Sequence, residues 1–177
     1  MNKGHFKVKL TLATIMIAIT FALTSCFENF LNPDPQGVIT EEVFLTTSDD
    51  AVLATNAIYS VLREWNFHTG GFPILDIMSD DSRKGSNATD QSGTVGSFDN
   101  FTFDASSGDI SRWYTTLYKG IRRSNIVING IGDISMDEDL KQRLIAEARF
   151  LRALFYFDLV KAFGDVQVVT TINPQGK

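Results

Sequence analysis

Apolar side chains recur at Leu140, Leu144, Ala148, Leu151, Phe155, Leu159 and Phe163, at intervals of four, four, three, four, four and four residues. That spacing holds them on one face of a helix and predicts an element of about 26 residues, long for a globular domain. Ser135 with Glu138 three residues later predicts a capping box at its start, and Gly164 its stop. A second stripe, Trp113, Leu117, Ile121, Asn125 and Ile128, predicts another helix, opened by Asp109-Ile110-Ser111 and closed at Gly130 or Gly132. A third, Ala54, Ala57, Ile58, Val61, Leu62 and Trp65, predicts a helix over 49–66 with one apolar face. Ser48 is placed as its N-cap, and Asp49 and Asp50 complement the helix dipole in the first turn. Thr40 to Phe44 fits one further helical turn.

Residues 67–109 break this periodicity. Gly70-Gly71, Gly85-Ser86-Asn87 and Ser92-Gly93-Thr94 punctuate them, leaving Ile74 to Met78 as a short apolar helix and Ser97 to Phe103 as an extended piece. A loop of this length inside a domain is either functional or disordered. Phe67, Phe72, Phe98, Phe101 and Phe103 argue against disorder, because disordered segments are poor in aromatics. Past Gly164, Val166 to Thr170 reads as extended, and Asn173-Pro174-Gln175-Gly176 as a turn.

The long helix carries more apolar surface than its stripe needs. Leu151, Leu154, Phe155, Phe157, Leu159 and Val160 surround most of its circumference, so it expects neighbours on several sides. Two further helices cannot cover it. The expectation is the front portion of a larger α-solenoid, whose stacked units close a core only in series.

The N-terminus has a different pattern. Lys3, His5, Lys7 and Lys9 precede an apolar run from Leu10 to Leu23, short for a membrane span, and then comes Leu23-Thr24-Ser25-Cys26. The arrangement is that of an export signal, and Leu-x-Ser-Cys resembles the bacterial lipobox, in which the cysteine becomes the acylated first residue. Residues 1–25 are therefore read as a lipoprotein signal peptide and Cys26 as the lipid attachment site. Cys26 is the single cysteine of the chain, so no disulfide framework exists, and acylation consumes a thiol that an oxidising compartment would otherwise attack. Residues 26–48, with Pro33, Pro35 and Gly37, read as an extended tether. Removing residues 1–25 takes away three of the sixteen Lys and Arg side chains and none of the twenty-one Asp and Glu. The remaining acidic excess argues against nucleic acid and against electrostatic adhesion to anionic lipid.

Several ordered stretches are similar to the SusD/RagB family of outer-membrane nutrient-binding lipoproteins. They are Phe30-Leu31-Asn32-Pro33-Asp34-Pro35-Gln36-Gly37, Ala51 through Tyr59, Trp113 through Asn125, Ala146 through Val160, and Phe163-Gly164-Asp165-Val166. The resemblance implies a mainly α fold of tetratricopeptide-like helical hairpins, of α-solenoid type, incomplete here and with a long irregular loop region. It assigns 49–177 to the N-terminal helical region of a SusD-like domain, apparently truncated, since family chains are much longer. It also implies a non-enzymatic role: binding oligosaccharides at the cell surface for import with a TonB-dependent, SusC-like transporter. Phe27, standing where an aspartate would retain the protein at the inner membrane, fits outer-membrane sorting, and Glu28 adds weaker support for surface display. The alternatives are a tethered helical scaffold that contacts only protein partners, or a truncated non-functional fragment.

An aromatic face fits the apolar face of a pyranose ring while polar groups satisfy its hydroxyls. Trp65, Trp113, Tyr114 and Tyr118 could all serve, but Trp113 and Tyr118 are assigned to packing because they sit on or beside the core stripe. Phe67 and Phe72, near turns, are the aromatic ligand candidates. Arg83 and Asn87 join them because they fall where ligand sites of the resembled family draw contacts. Asp76, Asp80, Asp81, Asn87 and Asp90 do not have the spacing of an EF-hand loop and are read as solvated, so no metal or cofactor is expected. Beyond the signal, His68 is the single histidine, and no thiol survives acylation, which removes Cys and His nucleophilic systems. No carboxylate pair sits in an evident cleft, so a glycosidase is disfavoured. Arg122, Arg123, Arg149 and Arg152, among acidic neighbours on helix faces, are assigned to ion pairing.

Overall fold

The computed structural model describes residues 45–172 together with Met16. The signal segment 1–25, Cys26, the tether up to residue 44 and the turn at 173–177 lie outside the described residues, Met16 apart. All the elements below belong to the unit Glu41–Lys177.

Five α-helices and one π-helical turn are described, with no β-ladder among the described residues. Helix α1 spans Ser48–Val61 and is capped one residue earlier than its sequence suggests. The Thr47 hydroxyl accepts from the Asp50 N–H at 3.2 Å, and the Asp50 carboxylate accepts from the Thr47 N–H at 2.8 Å. Two orphan donors of the first turn are thus satisfied reciprocally. The helix buries Ala51, Ala54, Thr55, Ile58 and Val61 along one face.

The predicted continuation to residue 66 does not hold. Glu64 is extended (φ −69°, ψ 140°), and the chain restarts as α2, Trp65–Phe72. Trp65 therefore opens a new helix and points away from the α1 core, 78% exposed. A π-helical turn, Pro73–Ile77, continues α2 where a short apolar helix is expected and buries Ile77.

Helix α3, Val95–Asp99, replaces part of the extended piece expected at 97–103. Phe98 is fully buried within it and stacks on Phe103, ring centroids 4.6 Å apart. Phe101, at φ +54°, makes the left-handed turn between them, and Thr102 N–H donates to the Ser97 carbonyl at 2.8 Å. A non-glycine residue there carries backbone strain, and the turn it makes sets half-buried Phe103 on the buried Phe98 ring.

Helices α4, Gly108–Gly130, and α5, Glu138–Phe163, match the two long apolar stripes. The N-cap of α5 is Asp137, whose carboxylate accepts from Leu140 N–H at 2.8 Å, rather than Ser135. At the other end Gly164 adopts φ +70°, and its N–H returns to the Val160 carbonyl at 3.0 Å. The pair forms an antiparallel hairpin: Trp113 meets Phe163, Gly120 meets Phe155, and Arg152 donates to the Asn125 side-chain oxygen at 2.7 Å. Helix α1 lies antiparallel to α4. Arg123 donates to the Ala57 carbonyl at 2.7 Å, and Tyr59 reaches Glu147 on α5 at 3.2 Å.

One core joins α1, α4 and α5, with Ile58, Val61, Trp113, Leu117, Ile121, Leu151, Phe155 and Leu159 fully or almost fully buried. Each large side chain of this kind contributes roughly 1.5–3 kcal/mol on burial. The apolar surplus of α5 is visible too: Phe150, Phe157 and Val160 face outward, and the Lys161 ammonium lies 4.6 Å from the Phe157 ring centroid. Segment 166–170 crosses the hairpin without a ladder. Side chains hold it: Tyr118 donates to the Gln167 carbonyl at 2.8 Å, Asn125 and Tyr156 to Val169, and Asn129 to Thr170. Two of the arginines assigned to ion pairing also make neutral hydrogen bonds. Arg152 binds Asn125, and Arg123 binds α1 backbone while standing 3.9 Å from Glu64.

Candidate functional site

Short α2 presents residues to two sides. Trp65, Thr69 and Phe72, spaced by four and three, line one wall of an open groove of about 660 Å³. Loop residues Arg83 and Lys84, with Thr94 and Val95 at the start of α3, line more of it, and Asp109 and Arg112 bring in the first turn of α4. Gly70 is what lets α2 lie this close to α4, because a Cβ there would collide with the Trp113 Cβ and the Asp109 carbonyl.

The groove is an aromatic and cationic surface. Trp65 is largely exposed and Phe72 is 48% exposed, so two aromatic faces stand free. Asp109 is buried and spent on an ion pair with Arg112 in the same helical turn. Lys84 donates to the Asn87 carbonyl at 2.6 Å, which folds the loop back and leaves two further ammonium protons. The Thr69 hydroxyl is used on the Trp65 carbonyl at 2.9 Å. Arg83 brings a fork of donors to the same wall. Such a surface suits a neutral, hydroxyl-rich ligand with an apolar ring face: the aromatics take the face and the cations donate to hydroxyls.

Of the four residues singled out by sequence, Phe72 and Arg83 come together in this groove. Asn87 shapes the loop instead, giving its carbonyl to Lys84 and its side-chain oxygen to Thr89 N–H at 3.4 Å. Phe67 is a helical residue and not a loop aromatic. It packs edge-on to core residue Phe155, ring centroids 6.3 Å apart, and borders a separate recess. Trp113 and Tyr118 pack as expected, Trp113 fully buried and Tyr118 half-buried against Tyr114 and the 166–170 segment.

Sequence reasoning named Trp65 among the aromatics able to stack on a sugar without selecting it for the site, and it missed Lys84 and Arg112. Trp65 continues the apolar spacing of α1 so well that only the extended Glu64 reveals its different role. Lys84 and Arg112 are separated by 28 residues of sequence, and nothing local announces that α4 begins beside the loop.

Paired helices that present one open aromatic and basic groove, assembled from a long loop, make a scaffold for ligand binding. The chain belongs to the SusD-like family, whose model, described as starch-binding and associating with the outer membrane, matches residues 53–176. It is similar to a SusD-like protein of Formosa agariphila, 27% identical over 165 residues, which cover 88% of this chain and 31% of the relative. A SusD-like protein of Bacteroides ovatus is 28% identical over 159 residues, 88% of this chain and 28% of the relative. A solved laminarin-binding SusD-like protein superposes with a TM-score of 0.63 at 30% identity, over 73% of this chain and 28% of that one. The chain thus spans a little under a third of the length of the curated relatives it matches. Among the described residues, no helix is long and apolar enough to cross a membrane.

Proposed function

We propose that this chain is the helical portion of a glycan-binding protein of the outer membrane, held there by lipid on Cys26 and facing the cell surface. The observation that carries the reading is the groove in which Trp65 and Phe72 stand free beside Arg83 and Lys84. Aromatic platforms next to forked and pointed cationic donors suit oligosaccharides, and they supply no acid/base pair for cleavage. The activity is binding without turnover. The laminarin-binding neighbour makes a β-glucan the first ligand to try, and the starch-binding description of the family makes an α-glucan the second. In the proposed role the bound glycan passes to a TonB-dependent, SusC-like transporter.

A scaffold reading also has an observation in its favour, because Phe150, Phe157 and Val160 on α5 form an exposed apolar face of the kind protein partners cover. Affinity electrophoresis through gels containing laminarin, starch or neither separates the two. Retardation in one of the glycan gels supports glycan binding, and unretarded migration in all of them leaves the scaffold.

A further inference from the structure

A second recess, of about 420 Å³, lies on the other side of Phe72 from the groove. Phe67, His68, Gly71 and Leu75 border it, spaced to share a second helical side, and Phe72 belongs to both hollows. Its volume falls within the roughly 300–1,000 Å³ typical of small-molecule sites. At its wall sits Trp113, fully buried, whose indole N–H is the buried side-chain polar atom with no hydrogen-bond partner among the described residues. An unmet buried donor costs about 1–3 kcal/mol, so a native structure seldom leaves one without a purpose. Gly71 lies against that N–H with no side chain between them: a Cβ at this position would stand 2.9 Å from the indole nitrogen.

The other polar groups restrict what can enter. Asp158, nearly buried, and Asp76 bring carboxylates to the same recess. Lys161 takes one Asp158 oxygen at 2.8 Å, and a carboxylate has about four acceptor positions. An anion would suit the indole donor but meet two negative charges. An amine would suit the carboxylates but offer nothing to the indole. A hydroxyl both accepts and donates, and the rings of Phe67 and Phe72 with Leu75 fit the apolar face of a sugar.

We propose that this recess is a second saccharide position, in which a ring hydroxyl accepts from the Trp113 indole N–H and another donates to Asp158 or Asp76. It rests on the reading of the first groove as a saccharide site, and makes Phe72 the ridge over which one glycan chain passes.

The chain has two tryptophans, Trp65 in the groove and Trp113 in the recess, so each hollow carries its own indole reporter. The experiment is an indole N–H NMR titration of the full isotope-labelled chain, in detergent micelles, with laminarihexaose and then maltohexaose. The expected result is saturable movement of both signals, with the Trp113 shift lost in Leu75→Tyr, which fills the rim, and in Gly71→Ala, which covers the donor. Movement of Trp65 alone overturns the second position and leaves the groove intact. Movement of Trp113 alone, lost in those variants, keeps the recess and overturns the groove reading with the crossing at Phe72. Movement of neither overturns both, and a Trp113 shift that survives Leu75→Tyr and Gly71→Ala overturns the recess as its cause.

Discussion

The Phe155 ring of α5 lies directly on the backbone of Gly120 in α4, so close that any Cβ at Gly120 would enter the ring's van der Waals envelope. This contact sets the separation of the hairpin. Phe155→Ala should cost about 3–5 kcal/mol in a denaturant melt, because it opens a cavity at a fully buried site. Gly120→Ala should cost about 1–3 kcal/mol by overpacking the same spot. Arg143, exposed and paired with Glu147 at 3.3 Å, should tolerate Ala within roughly 0.5 kcal/mol. Similar losses at all three positions would mean that the hairpin does not pack through this face.

Start of α1 and acid pH. Hydrogen bonds from the Thr47 hydroxyl and backbone hold the Asp50 carboxyl below its ordinary value of 3.8. A depressed carboxylate adds stability in full above its unfolded value, and the contribution is lost as pH falls through the lower folded one. Thr47→Ala should cost about 1 kcal/mol at neutral pH. Melts of the wild type and Asp50→Asn should converge as pH drops below the ordinary value, and a gap that stays constant into strong acid would contradict the cap.

Alkaline behaviour follows from Tyr118. Burial first, then its hydrogen bond and proximity to Tyr114, push its phenol up to about 12 from the ordinary 10.0. The raised value means that its contribution is complete below pH 10 and disappears as pH rises through about 12. The hydroxyl's bond to the Gln167 carbonyl then breaks, releasing that end of the 166–170 segment. Tyrosinate absorbance of the wild type should carry a component that titrates near pH 12 and that Tyr118→Phe removes.

The two long helices were legible because their stripes are uninterrupted over four or more turns: Leu144, Ala148, Leu151, Phe155 and Leu159 keep to one face of α5. The break after Val61 was not legible, since Leu62-Arg63-Glu64 contains neither Gly nor Pro and Trp65 keeps the helical spacing. The turn at Phe101 was hidden for a related reason, a left-handed position occupied by a bulky residue. The groove was half legible. Phe72 and Arg83 could be picked out as an aromatic and a cation in a long loop region, whereas Trp65 and Arg112 enter through packing of α2 on α4, which no local pattern encodes.

Processing at Cys26 tests the proposed anchor. Serine cannot form the thioether that carries the diacylglycerol, so Cys26→Ser should lose palmitate labelling and accumulate as an unprocessed precursor. Unchanged labelling of that variant would remove the lipid anchor from the account.

Glycan binding at the groove is the central claim, and isothermal titration of the full chain with laminarin and with starch tests it most directly. The account predicts saturable binding to at least one of them, weakened about 5–30-fold in Trp65→Ala, the equivalent of roughly 1–2 kcal/mol for losing an aromatic anchor. Arg83→Ala should weaken it in the same direction while leaving the melting temperature unchanged. Absence of heat with either glycan, or binding that Trp65→Ala and Arg83→Ala leave intact, would contradict it.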